Sequence, residues 1–340
     1  MTISLSPPRL PVLVTGGAGY IGSHAVLALL DGGWPVVVVD NLVTGFRRAI
    51  DPRAVFVRGD IADSALLGRI IADHGIGAIL HFAGSIIVPE SVADPLKYYR
   101  NNTANSRTLI EAAVAGGVAH VIFSSTAAVY GIPSDEPVDE SWPTRPANPY
   151  GSSKLMTEWM LADVAAAHPI NYCALRYFNV AGADPQGRTG QSTAGATNLI
   201  KVATEVAAGV RARLEIFGDD YPTPDGTGVR DYIHVTDLVD AHVRALEMLI
   251  ADPARSHVLN CGYGHGHSVR QVIDAVARIS GRPVPFVVVP RRAGDIAMMV
   301  ADNRALVERF AWQPRHADLD AIVSHALAWE RKRADLPVEA

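Results

Sequence analysis

Cysteine is nearly absent: Cys173 and Cys261 are the two in 340 residues. Two thiols in a chain of this length make no disulfide framework, and both are expected to stay reduced. Long apolar runs are missing too. No segment reaches ~18 consecutive apolar residues, so none is expected to span a bilayer. The start, Met1 to Arg9, has two prolines and no cationic stretch followed by an apolar run, so it does not read as a secretory signal. These absences point to a soluble protein of a reducing compartment, the cytoplasm. Charge of one sign never accumulates: 30 basic against 35 acidic residues give a net charge of −5. Without a basic stripe, a nucleic-acid partner is not expected, though arginine clusters could hold a small phosphorylated molecule. Lysine is the rarest cation. Only Lys97, Lys154, Lys201 and Lys332 occur, so 26 of the 30 basic residues are arginine.

What is present is a large interior. The chain is 49% hydrophobic and 19% charged, enough for one extensive core or two domains in contact. Up to residue 180, short β-branched runs alternate with helix-length stretches. Strands are expected at Pro11–Thr15, Val36–Val39, Val55–Val57, Ala78–Phe82 and His120–Ser124. Their unbroken apolar character suits strands covered on both faces. The alternation implies an α/β fold, a doubly wound parallel sheet of Rossmann type. Helices are expected at Ile21–Leu30, from the Asp63-Ser64 cap to His74, over Ser91–Gly116, and over Pro149–His168. Beyond Asn179, Ala181–Thr197 reads as a long loop or lid and Pro222–Arg230 as a turn region. Then come strands at 231–234, 256–260 and 284–288 and helices at 236–250, 268–281 and 319–333. The expected division is a doubly wound domain, 1–180, with a return contribution around 230–252, and a smaller mixed α/β domain, 181–340.

Gly16-x-x-Gly19-x-x-Gly22 follows the first strand and opens a helix. Glycines there permit a tight turn and let a pyrophosphate approach backbone N–H groups at the positive end of a helix dipole. Asp40 ends the second strand about 20 residues on, where a carboxylate accepts from the adenosine ribose. A carboxylate repels a 2′-phosphate, so NAD is expected over NADP, although Arg47 and Arg48 follow in the next loop.

Tyr150 and Lys154 stand four apart on an expected helix and project from one face. Chance gives roughly 0.1 Tyr-x-x-x-Lys pairs in such a chain. A phenol is only about 0.1% ionised at neutral pH, and a nearby ammonium and an oxidised nicotinamide ring are the opposite charges that would lower its pKa. Tyr150 could then take a hydroxyl proton while the adjacent C–H leaves as hydride. A third group should hold the reacting oxygen, and Ser124-Ser125-Thr126 ends the fifth strand at the ligand-binding edge; Thr126 is the first choice there and Ser125 the second. Cys261-x-x-x-His265-x-His267 matches no common zinc spacing, and no metal is expected.

The Thr-Gly-x-x-Gly-x-x-Gly and Tyr-x-x-x-Lys motifs together resemble the extended short-chain dehydrogenases/reductases. Further segments are similar to the UDP-glucose 4-epimerase family. They are Gly59-Asp60-Ile61, His81-Phe82-Ala83-Gly84, Pro149-Tyr-Gly-x-Ser-Lys154, Arg176-Tyr-Phe-Asn179, Val229-Arg-Asp-Tyr-Ile-His234 and Pro290-Arg-Arg-Ala-Gly-Asp295. The likeness runs from about Pro11 to Trp329. It implies Tyr150 as base and acid, Lys154 as its partner and Thr126 beside the sugar. It implies NAD contacts from Gly16, Gly19, Tyr20, Ile21, Gly22, Asp40, Asn41, Asp60, Ile61, Phe82, Ala83, Gly84, Asn101, Ser124 and Tyr177. For the sugar nucleotide it implies Asn179, Asn198, Leu199, Phe217 near uracil, Arg230 and Arg292 on the diphosphate, Asp295 on the ribose, and Met299. The implied reaction interconverts UDP-glucose and UDP-galactose. Tightly bound NAD oxidises C4′ transiently, and hydride returns to the opposite face of a 4-keto sugar. The helices 91–116 and 149–168 resemble those that pair in the family's homodimers.

Some positions depart from the pattern. Ile86 stands where many members have Lys, Thr197 where some have Asn, and Met299 where some have a Tyr that restricts the pocket. N-acetylated hexoses or pentoses therefore stay open as substrates. A 4,6-dehydratase would need an Asp-Glu pair after Thr126, where this chain has Ala127-Ala128. A net reductase, a UDP-sugar decarboxylase and a non-catalytic NAD-binding protein are the other readings.

Overall fold

The computed structural model describes residues 9–132, 136–193, 195–292 and 295–335; the Met1 start lies almost wholly outside the described residues. The first half is built of β1 (Val12–Thr15), α1 (Tyr20–Asp31), β2 (Val36–Asp40), β3 (Val55–Arg58), α2 (Ser64–His74) and β4 (Ala78–His81). It continues with α3 (Val88–Ala93), α4 (Pro95–Tyr98), α5 (Asn105–Ala115), β5 (His120–Ser124), α6 (Pro149–Ala167) and β6 (Asn171–Tyr177). The second half holds β7 (Asn179–Ala181), α7 (Leu199–Ala207), β8 (Leu214–Phe217), β9 (Val229–Arg230), β10 (Tyr232–His234), α8 (Val235–Ala251) and β11 (His257–Cys261). It ends with β12 (His267–Ser268), α9 (Val269–Ser280), β13 (Phe286–Val289), β14 (Met298–Met299), α10 (Arg304–Phe310) and α11 (Leu319–Ala334).

Among the described residues, seven strands form one parallel sheet in the order β11-β6-β5-β4-β1-β2-β3. β1, β2, β4 and β5 are buried along their whole length. One core packs α1, α8 and α10 on one face; another packs α2, α5 and α6 on the other. The order reverses between β1 and β4, the switch point where such sheets open a crevice. The sheet's outer strand β11 comes from residues 257–261. A third core joins α7, α9 and α11 to the parallel pair β8–β13.

Two expectations of secondary structure are corrected. The stretch 91–116 is not one helix. Pro95 has no N–H to donate, so the chain breaks at Asp94, whose φ of −133° is non-helical and whose side chain accepts from Lys97 N–H. Tyr99–Ala104 is then wound as a π-helix before α5 begins. The second correction is β6, which the sequence reading passed over. Its Asn171 and Arg176 are buried yet polar. Asn171 donates to the Leu249 carbonyl (3.0 Å), and Arg176 pairs with Glu158. Tertiary partners replace the apolar character a buried strand usually shows.

Both cysteines are free and buried. Among the described residues, no helix is long and apolar enough to cross a membrane.

Candidate active site

The site starts at the C-terminal ends of β1, β2, β4 and β5. Gly16 turns the chain after β1 with φ +71°, a left-handed conformation that glycine adopts without strain. A Cβ at Gly16 would lie 2.7 Å from Ala83 N, so the loop after β4 closes against this turn. At Gly22 a Cβ would lie 2.9 Å from Gly17 Cα and closer still to the Gly16 carbonyl. At Gly19 the nearest atom is the Gly16 carbonyl, 3.2 Å away. The turn thus brings bare backbone to the start of α1, as a pyrophosphate requires. Tyr20 and Ile21 begin that helix, and the Tyr20 hydroxyl donates to the Gly182 carbonyl (2.7 Å), tying it to the second half.

Asp40 accepts from Ala18 N (2.9 Å) through one oxygen and from Leu42 N (2.8 Å) through the other. Each oxygen keeps a lone pair for a ribose hydroxyl. Asn41 donates to Asp60 (2.9 Å), whose other oxygen accepts from Ala62 N (2.9 Å), and Ile61 is buried beside them. Arg47 lies over the Phe56 ring and Arg48 over the Phe46 ring. These features fit a dinucleotide whose adenosine ribose is unphosphorylated.

At the inner end, Asn148 caps α6 by accepting from Gly151 N (2.9 Å), and Pro149 occupies the first turn, where no N–H is needed. In that turn and the next, Tyr150 and Lys154 are both buried. Thr126, two residues past the end of β5, accepts from Ala128 N (3.1 Å), and its hydroxyl favours the ionised form of the Tyr150 phenol. The Lys154 ammonium donates to the Ser124 carbonyl (2.9 Å) and lies over the Phe123 ring. The Ser124 hydroxyl meets Tyr177. A Cβ at Gly84 would lie 3.6 Å from Lys154 Nζ, so its absence leaves open backbone beside the ammonium. Phe82 packs on His242, and Asn101 donates to Ser85 (2.8 Å).

In the chain alone, burial raises the Tyr150 pKa, against a smaller lowering by the Thr126 hydroxyl. Burial also lowers the Lys154 pKa to about 8. The Lys154 ammonium donates to the Ser124 carbonyl.

Ser125 serves another purpose than the sequence reading allowed. Its hydroxyl donates to Glu158, which also pairs with Arg176 (2.6 Å), and both charged side chains are buried. Arg176 reaches the Tyr130 hydroxyl (3.1 Å), which donates to Asn260 (2.6 Å). Asn102 likewise went unread. It accepts from Ser85 N (2.7 Å) and donates to Ser153 (3.0 Å), bridging the β4 loop to α6. Glu158 stands four after Lys154, a helical spacing that could have flagged it.

The second half supplies cations. Arg230 donates only to backbone carbonyls, Val229 (2.9 Å) and Ala297 (3.5 Å), and has no ion pair among the described residues. Burial lowers its pKa. A desolvated guanidinium with spare donors suits a diphosphate. Met299 sits opposite Arg230 in the β14–β9 pair. Arg292 lies over the Phe217 ring and pairs with Asp295 (3.0 Å). Asn198 precedes α7 without capping it and accepts from Gln191 (3.2 Å); Leu199 is the helix's first residue. Asn179 opens β7, beside β10.

Elsewhere, Cys261 is fully buried, and His265 stacks on Tyr263 and meets His267 edge-on. Among the described residues, no group of three or more His, Cys, Asp or Glu is placed to hold a metal ion.

The NAD dependent epimerase/dehydratase family matches residues 12–262. A UDP-glucose 4-epimerase of Azospirillum brasilense is 56% identical over 94% of this chain and 92% of its own length. The Brucella ovis UDP-glucose 4-epimerase, solved in complex with NAD, superposes with a TM-score of 0.92 at 44% identity, covering 95% of this chain and 99% of that one. The Bifidobacterium longum enzyme, solved with NAD+ and UDP, has a TM-score of 0.91 at 40% identity over 96% and 99% of the two chains. The chain belongs to the NAD dependent epimerase/dehydratase family, within its UDP-glucose 4-epimerase group.

Proposed function

We propose that this protein interconverts UDP-glucose and UDP-galactose through transient oxidation at C4′. The observation that carries the reading is a buried Tyr150 one helical turn from a buried Lys154, whose ammonium donates to the Ser124 carbonyl at the sheet's C-terminal edge. The Gly16–Gly22 turn, Asp40, Asn41, Asp60 and Ile61 would hold NAD, and Phe82, Ala83, Gly84, Asn101, Ser124 and Tyr177 would line its inner end. NAD supplies an acceptor and donor of hydride at C4′. Thr126 orients the 4′-hydroxyl, and Tyr150 takes its proton and later returns it. Lys154, whose pKa burial lowers to about 8, stabilises the phenolate while it carries its proton. Arg230 and Arg292 hold the diphosphate, with Asn179, Asn198, Leu199, Phe217 and Asp295 around the nucleotide. A 4-keto sugar anchored only through its diphosphate can turn its other face to the cofactor before reduction.

The sheet-forming part would bind NAD, and the part around α7, α9 and α11 the UDP-sugar. Two subunits would pair through the side carrying Val92 and Leu96, both exposed, and Trp159 of α6. Met299 in place of a restricting Tyr leaves N-acetylated hexoses and pentoses open as additional substrates. Purified protein incubated with UDP-galactose, UDP-N-acetylgalactosamine and UDP-arabinose, followed by separation of products, tests the reading. UDP-glucose should form from UDP-galactose without stoichiometric NADH; no conversion of UDP-galactose contradicts it.

A further inference from the structure

The parallel β8–β13 pair sets two loops side by side, because Val289 lies opposite Phe217. The chain leaving β8 and the chain leaving β13 therefore run off the sheet together, and they interleave as two stacked pairs. Arg292 lies 4.1 Å over the Phe217 ring, and Arg291 lies 4.0 Å over the Tyr221 ring. Each arginine is also held by a carboxylate, Arg292 by Asp295 (3.0 Å) and Arg291 by Asp220 (2.6 Å). Gly218, at φ +83°, makes the stack fit: a Cβ there would lie 3.1 Å from the Tyr221 ring and nearer still to Arg291. A backbone hydrogen bond from Tyr221 N to the Gly226 carbonyl (2.9 Å) closes the loop behind it.

Tyr221 is thus fixed by its ring and its backbone and is 7% exposed. Its hydroxyl is buried and has no hydrogen-bond partner among the described residues. Folded proteins seldom leave such a group unsatisfied, because its lost hydration goes uncompensated. Arg291, over the Tyr221 ring, adjoins Arg292, which with Asp295 belongs to the nucleotide-holding group described above. Burial raises the pKa of the phenol, so it keeps its proton and has it to donate.

We propose that the Tyr221 hydroxyl is a further substrate ligand, donating to an oxygen in the ribose–diphosphate part of a nucleoside diphosphate. The assignment rests on the UDP-sugar reading of this site. A contact to the unreacting nucleotide is made equally in ground and transition states, so it governs affinity and not chemistry.

Tyr221→Phe removes the hydroxyl and leaves the ring under Arg291. With the NAD-loaded full chain, titration calorimetry should show UDP bound about tenfold more weakly, the loss of one hydrogen bond. KM for UDP-galactose should rise by a similar factor at unchanged kcat. The thermal midpoint without UDP should hold or rise. Unchanged UDP affinity, a loss confined to kcat, or a lowered midpoint overturns the assignment, the last because it reveals a partner inside the protein. Wild-type protein that fails to bind UDP overturns the UDP-sugar reading as well. Wild-type binding with an unaffected variant removes Tyr221 alone.

Discussion

Replacing Glu158 by Met should expose how the reacting hydroxyls are held. Glu158 Oε2 lies 2.6 Å from Arg176 Nη2, and Oε1 lies 3.0 Å from Nε. Both side chains are under a tenth exposed, and the Ser125 hydroxyl completes the shell. Removing the carboxylate strands a guanidinium in the interior, which costs about 3–5 kcal/mol. The double variant Glu158→Met/Arg176→Met removes both charges and fills the space with apolar atoms, so it should recover at least half of that. Urea unfolding at fixed NAD concentration measures both, since bound cofactor shifts apparent stability. Activity adds a second reading. Ser125 adjoins Thr126, and a displacement of about 1 Å at a reacting group can cost 10²-fold in rate. A single variant that loses under about 1 kcal/mol would refute the reasoning. So would a double variant that loses the sum of the two singles, because the ion pair would then carry no coupling.

Three further outcomes are expected. Gly22→Ala places a Cβ within 2.9 Å of the Gly17 backbone, so the purified variant should carry far less NAD by chromatography of the denatured protein; full occupancy counts against the cradle. Burial lowers the pKa of His24 to about 4, of His81 to about 3 and of His242 to about 4. The unfolded chain, with histidine near 6.5, binds more protons in between, so their contribution is complete above pH 6.5 and is lost as pH falls towards 4. Each removes up to about 1.4 kcal/mol per pH unit, and urea midpoints that stay flat from pH 7 to pH 5 contradict this. Leu96→Glu puts a charge on a side chain 76% exposed; sedimentation should show a smaller species than wild type, and an identical profile rules this face out as the pairing surface.

The strands of the large sheet were legible where burial on both faces forces continuous runs, as in Val36–Val39. β6 was not, because Asn171 and Arg176 are buried against partners about 80 and 18 residues away in sequence, and spacing cannot reveal such pairings. Pro95 was visible, but the break at Asp94 depends on a cap that forms only after the helix stops. Tyr150 and Lys154 stood out because one helical turn fixes their relation locally. Thr126 reaches them only through the β5–α6 packing, and the choice between Ser125 and Thr126 turns on Glu158, which claims Ser125. Arg230 and Arg292 entered through resemblance. Their physical distinction, one arginine without an ion pair among the described residues and one laid over an aromatic ring, exists only in three dimensions.

The central claim is that the Tyr150 hydroxyl carries the proton to and from the sugar. Tyr150→Phe keeps the ring in its buried place and removes only that hydroxyl. Turnover of UDP-galactose by the variant, at full NAD content and unchanged UDP affinity, is expected to fall by about 10²–10⁴-fold. Turnover near the wild-type rate under those conditions contradicts the account.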